Sequence, residues 1–267
     1  MKLKIDHTIQ VLEYPTVLLT VLGYLFWLTA IYLRLEKDVH SMFTVPLSTL
    51  GVYTLFTPLH EAVHKNISSN KIINNIIGNI VIVPYFFANF ETFKYIHLQH
   101  HTYTNKPLLD PDRFSRFGII SCICMPLHYY KYYVTKMYKD NLVRSNIVYM
   151  VIIYSFIYIS YLVSLFNHLF ILWIAPSILG IGILAYLFDY LPHRDHTDTV
   201  QHTTMTDGCL NLNNGKGNDI ISFLTCNQLT YHHIHHLQTR IPFYKYKSIS
   251  ENNYKALQHT IKKQTMF

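Results

Sequence analysis

From Ile147 to Phe188 the chain reads IVYMVIIYSFIYISYLVSLF, then Asn167 and His168, then LFILWIAPSILGIGILAYLF. Neither apolar run contains Asp, Glu, Lys or Arg. The hydrocarbon core of a bilayer takes about 20 predominantly apolar residues per helical span. Backbone polar groups inside it must be satisfied within the segment, which favours helix. With only Asn167 and His168 between them, the runs predict a helical hairpin that crosses a membrane and returns at once. The same pattern occurs upstream, where Val17–Leu33 and Met42–Leu59 are joined by the polar segment Arg34 to Ser41. The predicted spans are therefore residues 15–34, 42–60, 147–166 and 169–188. A fifth run, Ile76–Phe90, is shorter and is broken by Gly78, Asn79 and Pro84. It predicts an interfacial segment over residues 76–90 that does not cross. The expected fold is thus an all-α integral membrane protein, a single domain over residues 1–267. It has four transmembrane helices in two hairpins, interfacial helices, and a histidine-rich cap on the side of the chain ends.

Composition agrees with that class. Of 267 residues, 50% are hydrophobic and 14% charged, against roughly 25% charged in average soluble chains. A disordered chain would combine low hydrophobicity with high net charge. Cys122, Cys124, Cys209 and Cys226 form no CxxC pair, which argues against a disulfide scaffold or an iron–sulfur motif. On the two-hairpin reading the far side holds Arg34 and Lys37 against Glu36 and Asp38, so the whole net charge of +7 lies with the termini. Excess Lys and Arg marks the cytoplasmic face, and both termini are expected there. This basic excess is a topology signal first and a docking surface for an acidic electron carrier second; no nucleic-acid partner is expected. No cleavable signal peptide, repeat or low-complexity tract is evident.

Fifteen of the 17 histidines fall on the side of the termini, all but His40 and His168. Three clusters stand out: His60-Glu-Ala-Val-His64, His97-Leu-Gln-His100-His101 and His232-His233-Ile-His235-His236, with His193 following the last span. Residues three and four apart share a helix face, so each cluster can aim two or three imidazoles one way. Neutral imidazole is the commonest metal ligand and suits iron, copper, nickel or zinc. Two HxxHH sets would arise by chance on the order of 0.002 times at this histidine content, which favours metal binding over a merely histidine-rich interface. His60, His64, His97, His100, His101, His193, His232, His235 and His236 make nine candidate ligands. A single zinc site takes four, so two metals are the natural reading. Two zincs would imply hydrolysis or storage and two irons oxygen chemistry; the ligand types leave both open.

HEAVH at a span end, HLQHHTYTN followed by DPD, FDYLPHR, and YHHIHHL followed by RIPFYKY together resemble the membrane fatty acid desaturase superfamily. Within it, the chain looks most like the β-carotene hydroxylases and ketolases. The similarity runs from Thr57 to about Lys247. HLQHH and DPD lean towards the hydroxylases, and LTC followed by YHH towards the ketolases. Leu229-Thr230 stands where the hydroxylases usually have Gln-Asn. The resemblance implies two irons held by the nine histidines and O2 as co-substrate. It further implies an oxidised C–H bond on a long apolar lipid drawn from the bilayer, and electrons from an external ferredoxin or cytochrome b5. The product would be a hydroxylated or ketolated carotenoid ring, or alternatively a double bond in a fatty acyl chain. Asp189, four residues before His193, lies where related desaturases carry an asparagine near the metal. The resemblance gives it a place beside the ligands, bridging through water; the competing role is an interfacial pair with Arg194.

Other residues carry plainer readings. His233 faces away from the HxxHH trio and is expected beside the ligands or in solvent. His196 and His202 are alternatives to His193 in a polar loop. His128, among Tyr129, Tyr130, Tyr132 and Tyr133, fits an interfacial helix with an aromatic belt. Tyr154, Tyr158 and Tyr161 share a face of the third span, where helix packing is expected before substrate contact. Asp110 and Asp112 either orient a ligand histidine or cap a solvated turn. HEAVH also matches HExxH, the zinc protease helix with Glu61 as general base, but that reading leaves the other clusters unused. A metal transporter would want charged residues within the spans, and Val17–Leu33 and the other three runs have none.

Overall fold

The computed structural model describes residues 6–86, 89–136, 142–193 and 217–252. Among them every regular element is helical. α1 (Tyr14–Glu36) and α2 (Ser41–His64) form the first hairpin. The two pack closely because glycines meet: a Cβ on Gly51 would lie 2.9 Å from the Gly23 carbonyl oxygen and 2.9 Å from the Trp27 backbone nitrogen. α2 is the central helix, half buried along its apolar window. On its other side runs a continuous 28-residue helix, α8 (Phe166–His193), with Ser48 Oγ donating to the Leu172 carbonyl at 2.9 Å. Gly180 of α8 admits Val52 of α2 in the same way, since a Cβ there would lie 2.5 Å from Val52 Cγ1.

Among the described residues, α1, α2 and α8 are the three helices long and apolar enough to cross a membrane. The fourth expected span lies in α7 (Leu142–Leu162), whose apolar stretch Ile147–Leu162 is shorter. The turn into α8 also departs from expectation. Asn167 and His168 are already helical, and the chain reverses at Val163–Leu165. Ser164 sits at φ 60°, Leu165 N–H donates to the Ser160 carbonyl at 2.8 Å and Ser164 N–H to the Tyr161 carbonyl at 3.1 Å. This left-handed cap satisfies the last carbonyls internally, so the reversal needs no polar pair. Lys65 (φ 61°) closes α2 and Cys226 (φ 48°) closes a later helix by the same two-bond pattern. Tyr154, Tyr158 and Tyr161 are 56%, 63% and 70% exposed. Tyr158 and Tyr161 lie on the outer face of α7, while Tyr154 meets the side chain of Tyr130 in a neighbouring helix.

The remaining helices frame one end of α2. α3 (Lys71–Val81) buries Asn74, Gly78 and Val81 and exposes Ile72, Ile76 and Ile80. Its 11 residues rise only about 16 Å, half a bilayer core. After α4 (Phe90–Tyr103) come a 3-10 turn over Pro111–Phe117, α5 (Ile119–Ile123) and α6 (Met125–Lys136). In α6, His128 stacks on Phe114 with ring centroids 4.3 Å apart. α9 (Gly217–Leu224), α10 (His232–Leu237) and α11 (Tyr246–Asn252) close the cap. The segment between α10 and α11 is bound to the end of α2: Asn66 donates its amide to the Thr239 and Ile241 carbonyls, and Glu61 accepts the Phe243 N–H at 3.2 Å.

Candidate metal centre

Four chain segments bring the histidines together. His60 and His64 fill the last turn of α2, which Lys65 terminates immediately after them. α4, started by the Asn89 side chain accepting the Thr92 N–H, carries His97, His100 and His101. His193 ends α8, and α10 supplies His232, His235 and His236. All nine predicted candidates are gathered, and they divide into two groups: His60, His64, His97, His101 and His235 in one, His100, His193, His232 and His236 in the other.

The division follows from helix geometry. At 100° per residue, positions i and i+4 lie about 40° apart, while i+3 lies about 60° to the other side of i. A helix set between two ions therefore presents i and i+4 to one and i+3 to the other. α4 gives His97 and His101 to the five-histidine group and His100 to its neighbour; α10 reverses the assignment, giving His232 and His236 to the four-histidine group and His235 to the other.

The facing atoms are Nε2. In the first group, His64–His97, His97–His101, His101–His235 and His235–His60 are separated by 2.8, 3.0, 2.9 and 3.0 Å. In the second, His193–His232, His232–His236 and His236–His100 are separated by 3.0, 2.9 and 3.3 Å. With metal–nitrogen bonds of about 2.1 Å, ligands at right angles lie about 3.0 Å apart. The spacings are those of nitrogens around a common centre, so both groups fit a metal ion. Six of the nine rings are buried and His97, His101 and His236 are half-buried.

Protonation suits the same role. Burial, with neighbouring imidazoles adding to it, holds His97, His101, His235 and His236 well below the usual histidine range. His232 is pushed down to about 3, chiefly by burial. These rings keep their lone pairs available. His100 differs: burial would lower it, but Asp110 and Asp112 outweigh that and hold it up at about 9. Its Nδ1 lies 2.9 Å from Asp110 Oδ1 and 3.4 Å from Asp112 Oδ2. Asp110 is buried and also accepts the Asn105 and Asp112 N–H groups at 2.7 and 3.0 Å. It is therefore an anchored orienting carboxylate, not a solvated turn. Nδ1–H to Asp110 leaves Nε2 of His100 for the metal. Tyr246 does the same for His235, its hydroxyl 3.0 Å from Nδ1.

A pH dependence follows for the metal-free protein. The five depressed histidines are neutral when folded and bind protons near 6.5 when unfolded. Their contribution is complete above that pH and is lost as pH falls towards their folded values. Each loses about 1.4 kcal/mol per pH unit in that window. His100 and Asp112, with raised values, work in the opposite direction, but they are two groups against these five and His233. Thermal melts of metal-free protein are expected to fall steeply between about pH 7 and about pH 5; a midpoint flat across that interval would contradict the buried neutral set.

An apolar cavity of about 930 Å³, its open mouth included, adjoins both groups. Phe56, Phe93, Ile181, Leu184 and Phe188 form much of its wall, and His60 and His97 of one group meet it alongside His100 and His232 of the other. Asp112, Asp189 and Tyr129 also line it. Tyr129 donates its hydroxyl to Asp112 at 2.8 Å and lies 3.5 Å from Asp189. Asp189 is carried by the π-helical turn Ala185–Tyr190, a local widening of α8 of the kind often found at functional sites. It belongs to neither histidine group but is close enough to His100 to act on its charge. Arg194, His196 and His202 lie outside the described residues. His233 stands outside both groups, half-buried, and is pushed down to about 4 by burial.

Tyr246 and Gln228 are site residues that the motif reading did not single out. Neither belongs to a histidine cluster; the nearest signal was position, Gln228 four residues before His232 and Tyr246 inside RIPFYKY. Glu61, the general base required of an HExxH protease, is fully buried. It is turned towards the Phe243 N–H and lines no part of the cavity.

Long apolar helices capped at one end by two histidine groups, each able to hold a metal ion, are the features of a membrane metalloprotein. The chain matches the fatty acid desaturase family over residues 39–263 and belongs to it. Members of that family are oxidoreductases with di-iron centres, and the histidine groups fit one. No curated protein matches the chain.

Proposed function

We propose that this protein oxidises a C–H bond of a long apolar lipid with O2, and that its substrate is a carotenoid ring, hydroxylated or ketolated, or a closely related lipid. The observation that carries the reading is the apolar cavity whose wall includes histidines of both groups. Two irons are the metals proposed, held by His60, His64, His97, His101 and His235 on one side and by His100, His193, His232 and His236 on the other. Bound there, they supply the activation of O2. The chain's own contribution is placement. Phe56, Phe93 and Phe188 exclude water and hold an apolar substrate against the histidine end, where positioning alone is worth several orders of magnitude in rate. Asp110 and Tyr246 fix the rings of His100 and His235. The Tyr129 hydroxyl, bonded to Asp112 beside Asp189, holds an exchangeable proton at the cavity wall.

Hydroxylation balances as one C–H, O2, two electrons and two protons giving C–OH and water. The electrons come from an external donor of ferredoxin or cytochrome b5 type, which docks on the basic side. α7 serves as the fourth crossing in this reading: its 21 residues rise about 31 Å, four crossings return both termini to one side with the histidines, and the basic excess there supports the cytoplasmic face. The second reading, fatty acyl desaturation, takes its support from the family itself, and consumes two hydrogens from adjacent carbons to leave two waters. Expression in a carotenoid-producing bacterium, with pigments and acyl lipids both profiled, separates them. A new ring-oxygenated pigment is the expected result; a new acyl double bond with unchanged pigments would overturn the carotenoid assignment.

A further inference from the structure

We infer that Gln228 is a positioning residue shared by the two histidine groups, its side-chain amide fixing His60 of one and its backbone carbonyl fixing His232 of the other. The inference rests on the reading that both groups hold metal ions. Gln228 lies between α9 and α10, just past Cys226 and Asn227, both with left-handed backbone (φ 48° and 61°). That double left-handed step turns the chain inward, and the residue that follows is only 1% exposed. Its side-chain amide nitrogen lies 3.3 Å from His60 Nδ1, and its backbone carbonyl oxygen lies 3.2 Å from His232 Nδ1.

The Nδ1 atoms matter because the Nε2 atoms are committed elsewhere. His60 Nε2 is 3.0 Å from that of His235, and His232 Nε2 is 3.0 and 2.9 Å from those of His193 and His236. A neutral imidazole that offers Nε2 to a metal carries its proton on Nδ1. The group opposite must accept; Gln228 presents Nε2 to His60 in this structure, and a half-turn of the amide, which exchanges two ends of nearly equal shape, brings its oxygen there. Glu61 is no substitute, its Oε1 being 3.7 Å away, beyond hydrogen-bond reach. His100 and His235 have dedicated partners in Asp110 and Tyr246; for His60 that part falls to Gln228.

The two supports differ in kind, and this makes the inference testable. His232 is held by main chain, which survives any substitution at position 228, whereas His60 is held by the side chain alone. Removing the amide should loosen the five-histidine group and spare the four-histidine group. The experiment loads purified protein with Fe(II) under anaerobic conditions and follows release to an excess of a chromogenic Fe(II) chelator. In Gln228→Met, close to the natural shape but without an acceptor, one of two iron equivalents is expected to leave about 10- to 100-fold faster than in the natural protein. The other should leave at the natural rate. Gln228→Glu, which restores an acceptor, should slow the fast phase again. Gln228→Asn, which withdraws the amide by one methylene, should reproduce the fast phase and serves where the Met variant does not fold. Two irons released at the natural rate in both Met and Asn variants, both released faster together, or no rescue by Glu, would each overturn the role of Gln228. A natural protein that binds no iron would instead overturn the dinuclear reading, so the two failures are distinct.

Discussion

Replacing His235 with alanine is expected to abolish lipid oxidation and to cost the five-histidine group its metal while the four-histidine group keeps its own. His235 is fully buried, and its Nε2 is within 3.0 Å of His60 Nε2 and 2.9 Å of His101 Nε2. It is also the only residue of α10 in that group. Without it, α10 no longer closes the group, and the remaining four rings come from α2 and α4 alone. Loss of partners that merely orient a ligand costs 10- to 100-fold in metal affinity or activity, so loss of the ligand itself should exceed about 100-fold. His100→Ala is the mirror case: it withdraws the one α4 residue from the four-histidine group and leaves Asp110 and Asp112 beside an empty place. Each variant should retain about one metal equivalent, and each should still insert, because both side chains meet the α1–α2–α8 bundle only at the histidine-bearing last turns of α2 and α8. Metal analysis with size-exclusion chromatography and a turnover assay provides the check. Full activity in either variant after loss of its metal would sink the dinuclear assignment.

Much of this arrangement was legible in the chain itself, because its two signals are periodic and strong. Uncharged runs mark α1, α2 and α8, and histidine spacing marks every member of both groups but His193, which is marked by its place after the last span. The allotment of those histidines was less visible. HxxHH shows three rings near one face, but the 60° offset of i+3 decides which ion each ring meets, and only the placement of α4 against α10 turns the offset into a five-and-four division. Helix ends were misread for a related reason. Ser164 and Lys65 take left-handed cap positions that usually fall to glycine, so nothing in their identity announces a stop. The polar Asn167-His168 pair looked like a turn and proved helical. Residues that orient ligands are the hardest class to find this way. Gln228 and Tyr246 lie 168 and 11 residues from the histidines whose Nδ1 atoms they face, and neither has a spacing rule.

A tryptophan at Ile181 is expected to stop turnover while leaving both metals in place. Ile181 lies on α8, half-buried, in the cavity wall and at the junction of the apolar clusters around Leu184 and around Ala185. Because the side chain already borders open space, the larger ring can extend into the cavity without forcing α8 away from α2. The volume it takes is space in the same cavity that His60, His97, His100 and His232 line. A substrate held even about 1 Å from its reacting position can lose 100-fold in rate, and displacement by an indole is larger. None of the nine histidines touches position 181 in sequence, and the Asp110 and Tyr246 supports lie on other elements. Metal content and the pH dependence of the melt should therefore match the natural protein. Ile181→Ala, which widens the same wall, should preserve oxidation and broaden the range of lipids accepted. Undiminished turnover in the tryptophan variant would show that substrate reaches the metals by another route, and the cavity would lose its place in the reaction.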